Sequence, residues 1–454
     1  MDHETADVFG VKSTLIKSYI ERQAVDEKFK AALSSGNEIV IYGSSKQGKT
    51  SLLLKHLDVD SYVRVECSPQ TTTIDIYKSV LRQLGISFIE SETVESTVEK
   101  GVKVGGGFKV KVPFIGEMGV SPELSSQTGQ TNEKNITHVE YNLALAQDVS
   151  ELLQARKFKK FIVLENFHYL PDQVQETLAY DLRIFQDYSF IFIILGIWRE
   201  ANRLVQFNGD LLDRVTEVPV EPWDRDDFLR AIEKGEKLLN VDFSNVRNQV
   251  VDESFNSVGV VQEICKICCL EAGLKATSPD TIYITNEHFE FSKRKKADEY
   301  GVRHIRNFES FADVRVRISS QSGKPSLAYP YYFIRLLLTH DFDEIHNGLS
   351  RSQLLEEIRR SHHRPSDVRS SDLGKFLHNI TQHQIAKHIQ PPFVDYDRGG
   401  KTLKIIDSSL YFFLKHCDRE AIFADIPNPV EDLTYGDIDL ETDLLEPSEI
   451  DEEI

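Results

Sequence analysis

The stretch "IVIYGSSKQGKTSLL", Ile39 to Leu53, decides the fold. Ile39 to Tyr42 run without a polar break, as in a strand covered on both faces, and "SLLLKHL" beyond the loop reads as a helix. Between them Gly43, Ser44, Ser45, Lys46, Gln47, Gly48, Lys49 and Thr50 fit the pattern G-x-x-x-x-G-K-[ST]. Glycines let the backbone curl until successive N–H groups face an anion, and the helix adds the positive end of its dipole. The pattern predicts a phosphate-cradling loop from Gly43 to Ser51. Lys49 is placed to reach the β- and γ-phosphates of a nucleotide, and the Thr50 hydroxyl to bind Mg²⁺.

Working outward, strands alternate with helices. "STLIKSYIERQAVDEKFKAALSSG" before the loop has helical spacing and stops at Gly36. The strand "YVRVEC" and the helix "TIDIYKSVLRQLG" follow it. After residues 90–136 come a helix in "EYNLALAQDVSELLQARK", the strand "FIVL", a helix from about Val174 to Phe185, the strand "FIFIILG" and a short strand "VTEVPV". This rhythm predicts an α/β fold with a parallel sheet flanked by helices. Residues 90–136 break it, and "VKVGGGFKVKVPFIGEMGV" suggests an inserted β-hairpin turning at Gly105-Gly106-Gly107.

The predicted organisation is an N-terminal helical segment over 1–35, the α/β core over 36–222, a helical lid over 223–300 beginning at the N-cap Asp224, and a Ser/Gly/Pro-containing linker over 301–327. Residues 328–419 read as three helices and a hairpin, the order of a winged helix, with Ser350 and Gln353 forming a capping box. Thirteen acids and no Lys or Arg occupy 420–454, a tail predicted to be disordered; without it the net charge of −19 falls to −6.

The decapeptide "FIVLENFHYL", Phe161 to Leu170, is the candidate for a second strand, adjacent in space to the first, that carries an acid to the metal. Glu165 takes the metal side. Asn166 stands where a catalytic acid is expected, and an amide orients water without taking its proton. Slow hydrolysis, base work by Glu165 itself, and help from His168 are the three readings. A structural histidine is the plainer account of His168.

The five cysteines, three of them in "CKICC" (Cys265, Cys268, Cys269), form no disulfide framework and read as core thiols. The longest apolar run, "FIFIILGIW", is nine residues, less than half the roughly 20 needed to cross a bilayer. A cytoplasmic chain with no membrane contact is therefore expected.

With the strand, loop and second strand in place, the layout resembles the AAA+ and STAND P-loop ATPases, in particular the origin-recognition and initiator-like branch with a winged helix after the lid. The resemblance covers about residues 16–419. It implies ATP and Mg²⁺ as cofactors, a homo-oligomer, and a nucleotide-dependent switch acting on DNA or on a partner protein. It implies that Tyr19, Ile20 and Arg22 pack on adenine, that Arg199 in "GIWRE" approaches the γ-phosphate, and that Arg214 in "GDLLDRV" reaches a neighbouring subunit's ATP. At the lid position where the family carries an arginine this chain has Val260, Val261 and Gln262. Alternatives are a slowly or non-hydrolysing ATP-bound scaffold for a separate effector, for instance in anti-phage defence, and a winged-helix DNA-binding regulator. Residues 351–419 hold twelve Lys and Arg against eight acids, so Lys375, Lys387, Arg398, Lys401 and Lys404 are the expected DNA contacts. Winged helices also dock proteins.

Overall fold

A computed structural model of the chain describes residues 2–86, 89–93, 108–113, 138–316 and 324–430. Its strands begin with β1 (Glu38–Tyr42), β2 (Tyr62–Glu66), β3 (Ile89–Thr93), β4 (Phe108–Pro113) and β5 (His138–Asn142). β6 (Phe161–Glu165), β7 (Phe192–Gly196) and β8 (Val215–Pro219) follow. Five of them form a parallel sheet in the order β2-β6-β7-β1-β8. β1 and β7 are buried along their whole length, which is why both read as unbroken apolar runs. Ile39 and Ile41 face Phe29, Leu52 and Leu53, while Val40 and Tyr42 face a second core with Ile76, Leu152 and Leu182. The α/β fold is thus a sheet between two helical layers, with the glycine loop running from β1 into the helix Lys49–His56.

The second-strand expectation needs one correction. β6 is not β1's neighbour, because β7 lies between them. Two inter-strand spacings of about 4.8 Å still bring the C-terminal ends of both strands to one edge of the sheet.

The insertion contributes β3, β4 and β5 as an antiparallel sheet in the order β3-β4-β5, with Val110 paired to Tyr141. The hairpin expected at Gly105–Gly107 lies outside the described residues. The N-terminal helix is shorter than its pattern: only Gln23–Leu33 and a separate turn, Thr5–Val8, are helical. Asp26 explains the later start, since its Oδ2 accepts the Arg22 amide at 2.8 Å and Arg22 is extended.

The lid comprises the helices Arg225–Leu239, Arg247–Asp252, Val258–Glu271 and Asn286–Ala312. Cys265, Cys268 and Cys269 are buried in its core. The last helix overturns the start of the predicted linker, because residues 301–312 continue it and bury Gly301, His304, Phe308 and Phe311. Phe308 packs on Phe413 and Phe393, and Phe311 on Phe333, so lid and C-terminal unit share one apolar core.

The C-terminal unit has helices Tyr329–Thr339, Arg351–Ser361 and Ser370–His378. The strands Val394–Asp397 and Thr402–Ile405 form its hairpin, and Leu349–Ser350 adds a third strand. A further helix, Ile380–Ala386, follows Ser370–His378, the two meeting at Asn379. The acidic tail also begins later than its composition suggests: Arg419–Asp425 is a helix capped by Asp418, with Phe423 against Tyr331 and Arg335. Residues 431–454 lie outside the described part. No helix among the described residues is long and apolar enough to cross a membrane.

Candidate functional site

Backbone geometry explains the glycines of the loop. Gly43 has φ 152° and Gly48 φ 87°, and a Cβ at Gly43 would sit 2.7 Å from Val220 Cγ2. Lys46, at the tip, holds φ 58°. Gly48 caps the helix Lys49–His56 without a side-chain acceptor, which leaves the first-turn N–H groups and the positive dipole end directed at the cavity beyond.

That cavity, of about 220 Å³, is lined by Lys46, Gln47, Gly48, Lys49, Thr50 and Ser51, by Glu165 and Asn166 past β6, and by Gly196 and Ile197 past β7. Tyr19, Ile20 and Arg22 line it on one side, and Val258, Gly259 and Gln262 bring the helix Val258–Glu271 to it. Of the loop residues nominated from the sequence, Gly43, Ser44 and Ser45 do not line it. Their part is to brace the loop: the Ser44 amide donates to Glu221 Oε2 at 2.6 Å and the Ser45 amide to the Ile406 carbonyl at 2.8 Å. Gln47 Nε2 donates to Glu221 Oε1 and to the Asn256 carbonyl, both at 2.9 Å.

Lys49 is a half-buried cation of the site. Its Nζ donates to the carbonyls of Gly43 and Ser44 at 2.9 and 2.6 Å, and burial lowers its pKa to about 8. An amine held by two neutral carbonyls gains more from a phosphate oxygen, so these bonds are the ones an anion would replace.

Glu165 does two things at once. Oε2 accepts Arg64 Nη2 at 2.6 Å across the β2–β6 pair, and Oε1 is buried without a partner among the described residues. Burial raises its pKa, with Arg64 opposing. An acceptor-only oxygen with no donor, on a residue that lines the same cavity as Thr50, fits a hard cation such as Mg²⁺. Asn166 has φ 59°, a left-handed conformation that Asn tolerates better than most residues. The amide therefore has a backbone reason as well as a place in the cavity.

Arg22 is stacked on Trp223 at 3.8 Å and donates to the Val220 carbonyl at 2.8 Å. The pair makes a flat surface on the wall of the cavity. Tyr19 Oη donates to Asp26 Oδ1 at 2.6 Å, which fixes the extended segment across the cavity mouth. Gln262, one of the three residues standing where the resemblance implies an arginine, accepts Ser18 Oγ at 3.2 Å and ties that segment to the helix Val258–Glu271.

The two remaining arginines stand apart. Arg199 lies in a second cavity with Glu221, Lys404 and Tyr411, its Nε 3.8 Å from Glu221 Oε2. Arg214 precedes β8 at the opposite end of the sheet and pairs with Asp187 at 2.9 Å and with Gln186. Neither lines the phosphate cavity.

Sequence reasoning missed Trp223, Arg64, Glu221 and Asp407. Asp407 Oδ1 accepts Ser45 Oγ at 3.2 Å, and Arg303 donates to its Oδ2 at 2.6 Å, so a buried carboxylate of the C-terminal unit reaches the loop. A Cβ on Gly259 would lie 2.6 Å from Lys46 Cβ, which measures how closely the lid presses on the same tip.

No family model matches the sequence, and no curated protein matches it. Among solved structures the chain is similar to the Walker-type ATPase of Pyrococcus abyssi, with 13 % identity, TM-score 0.45, and 88 % of this chain and 97 % of that one covered. It is similar to the ORC1 protein of Aeropyrum pernix, solved with DNA, at 11 % identity and TM-score 0.41, over 93 % and 97 % of the two chains. The RuvB Holliday-junction branch-migration motor of Thermotoga maritima matches at 11 % identity and TM-score 0.36, over 88 % and 96 %.

Proposed function

We propose that this chain binds ATP with Mg²⁺ and works as a nucleotide-dependent switch of the AAA+/STAND kind, hydrolysing slowly. The observation that carries the reading is the composition of one cavity: Lys49 and the helix N-terminus for phosphate, Glu165 Oε1 for a metal, and Tyr19, Ile20 and the Arg22–Trp223 platform for a base. Mg²⁺, when bound, supplies charge neutralisation between the β- and γ-phosphates. The chain's own residues do the rest. Lys49 takes phosphate oxygens, Thr50 and Glu165 hold the metal side, and Asn166 orients a water without accepting its proton.

Phosphate release tests the enzymatic half: turnover in the wild type above the background of Glu165→Gln supports a slow ATPase. Equal rates support the second reading, an ATP-bound scaffold that does not cycle. Two observations favour that second reading, the amide at Asn166 and the Arg64 guanidinium on Glu165.

For partners, the C-terminal unit's basic residues weigh toward a clamp or protein-docking role. Lys404 donates to Asp397 at 2.8 Å and to the Arg199 carbonyl, Lys387 to the Asp313 carbonyl, and Arg398 faces Asp172 at 3.8 Å. Lys375 and Lys401 are exposed and remain the candidates for DNA if the winged-helix reading holds. Arg214, on the surface away from its own cavity, is the residue proposed to reach a neighbouring copy.

A further inference from the structure

His168 lies three residues beyond Glu165, is 1 % exposed, and lines the cavity that holds Lys49, Thr50 and Glu165. Its Nδ1 accepts the Ile197 amide at 3.3 Å. A ring nitrogen that accepts carries no proton, so the proton of the neutral ring is on Nε2. Burial next to Lys49 and Arg203 pushes the His168 pKa far below its usual value, which keeps the ring in that neutral form.

Nε2 is buried and has no hydrogen-bond partner among the described residues. Proteins rarely leave an enclosed donor unused, because it forfeits its bonds to water for nothing. Here the orphan is a donor, and its ring belongs to a residue that lines the same cavity as Lys49 and Glu165. The chemistry that satisfies all three is an oxyanion bridged to a metal, the terminal phosphate of a nucleoside triphosphate. At the end of β7, Gly196 and Ile197 line the cavity without a side-chain donor. Ile197 contributes only its amide, and that amide sets the His168 tautomer.

We infer that His168 Nε2–H is the donor to the terminal phosphate and the residue by which the site tells triphosphate from diphosphate. This rests on the ATP reading of the same cavity.

The test is direct titration of the full chain with ADP and with a β,γ-non-hydrolysable ATP analogue, each with Mg²⁺. Wild type is compared with His168→Phe and His168→Leu, which remove the donor, and with His168→Gln, which keeps one. Loss of the donor should weaken the triphosphate roughly tenfold and ADP less than twofold, with His168→Gln close to wild type. If one donor-less variant does not fold, the other decides. Parallel losses for both nucleotides, or unchanged binding, would overturn the assignment while leaving the ATP reading intact. A wild-type chain that bound neither nucleotide would overturn both.

Discussion

The Ser45 amide donates to the Ile406 carbonyl at 2.8 Å, joining the glycine loop to the residue that follows the strand Thr402–Ile405 of the C-terminal unit. Ser408 Oγ returns the contact to the Ser45 carbonyl at 2.9 Å, and Asp407, buried between them, takes Ser45 Oγ and Arg303. The loop that would meet nucleotide is thus also the seat of a unit far away in sequence. Asp407→Asn keeps the shape and the helix cap but weakens the charge-assisted bond to Arg303, a contribution of about 1.5–3 kcal/mol. The expected outcome is faster proteolysis and a larger radius of gyration, and identical values in the two proteins would show that the contact does not hold the units together.

Arg64 competes for Glu165. With its guanidinium at 2.6 Å from Oε2, only Oε1 is free for a metal. In Arg64→Gln the carboxylate loses that partner, so Mg²⁺ should bind the nucleotide complex several-fold more tightly and any ATPase rate should rise. Both are readable by titrating Mg²⁺ at fixed ATP. No change in the Mg²⁺ midpoint would mean that Arg64 is a fold contact alone.

Lys49, with a pKa lowered to about 8 by burial, gives the site a pH dependence of known sign. Phosphate favours the ammonium form, so binding takes up a proton when Lys49 starts neutral. ATP affinity should therefore hold below pH 8 and fall as the pH rises through 9, by up to about tenfold per unit. Lys49→Arg, cationic throughout, should bind without that slope even if more weakly. A wild-type profile flat from pH 7 to 9.5 would contradict the burial argument.

How much of this was legible in the sequence follows from which contacts are local. The phosphate loop is a contiguous backbone device, so Gly43, Gly48 and Lys49 could be read from spacing, and β1, β6 and β7 from apolar runs that a doubly covered sheet demands. Tyr19, Ile20 and Arg22 came from resemblance and do line the cavity. The stretch before Arg22 has apolar residues at helical spacing without being helical, because Ile16, Tyr19 and Ile20 line a cavity, with Ile20 also packed against the core. Residues 301–312 were misread as linker because arginines at 303 and 306 mask the buried stripe of His304, Phe308 and Phe311. Trp223, Arg64, Glu221 and Asp407 reach the site from other elements, and only the folded chain brings them together.

The central claim is that Lys49 and its loop bind nucleotide phosphate. Calorimetric titration of Mg·ATP into wild type and Lys49→Ala, both checked for folding by thermal melting, tests it most directly. Saturable 1:1 binding is expected in the wild type and at least a roughly tenfold loss in the variant, the worth of one charge-assisted phosphate contact. Equal affinity in two folded proteins, or no binding to the wild type, would contradict it.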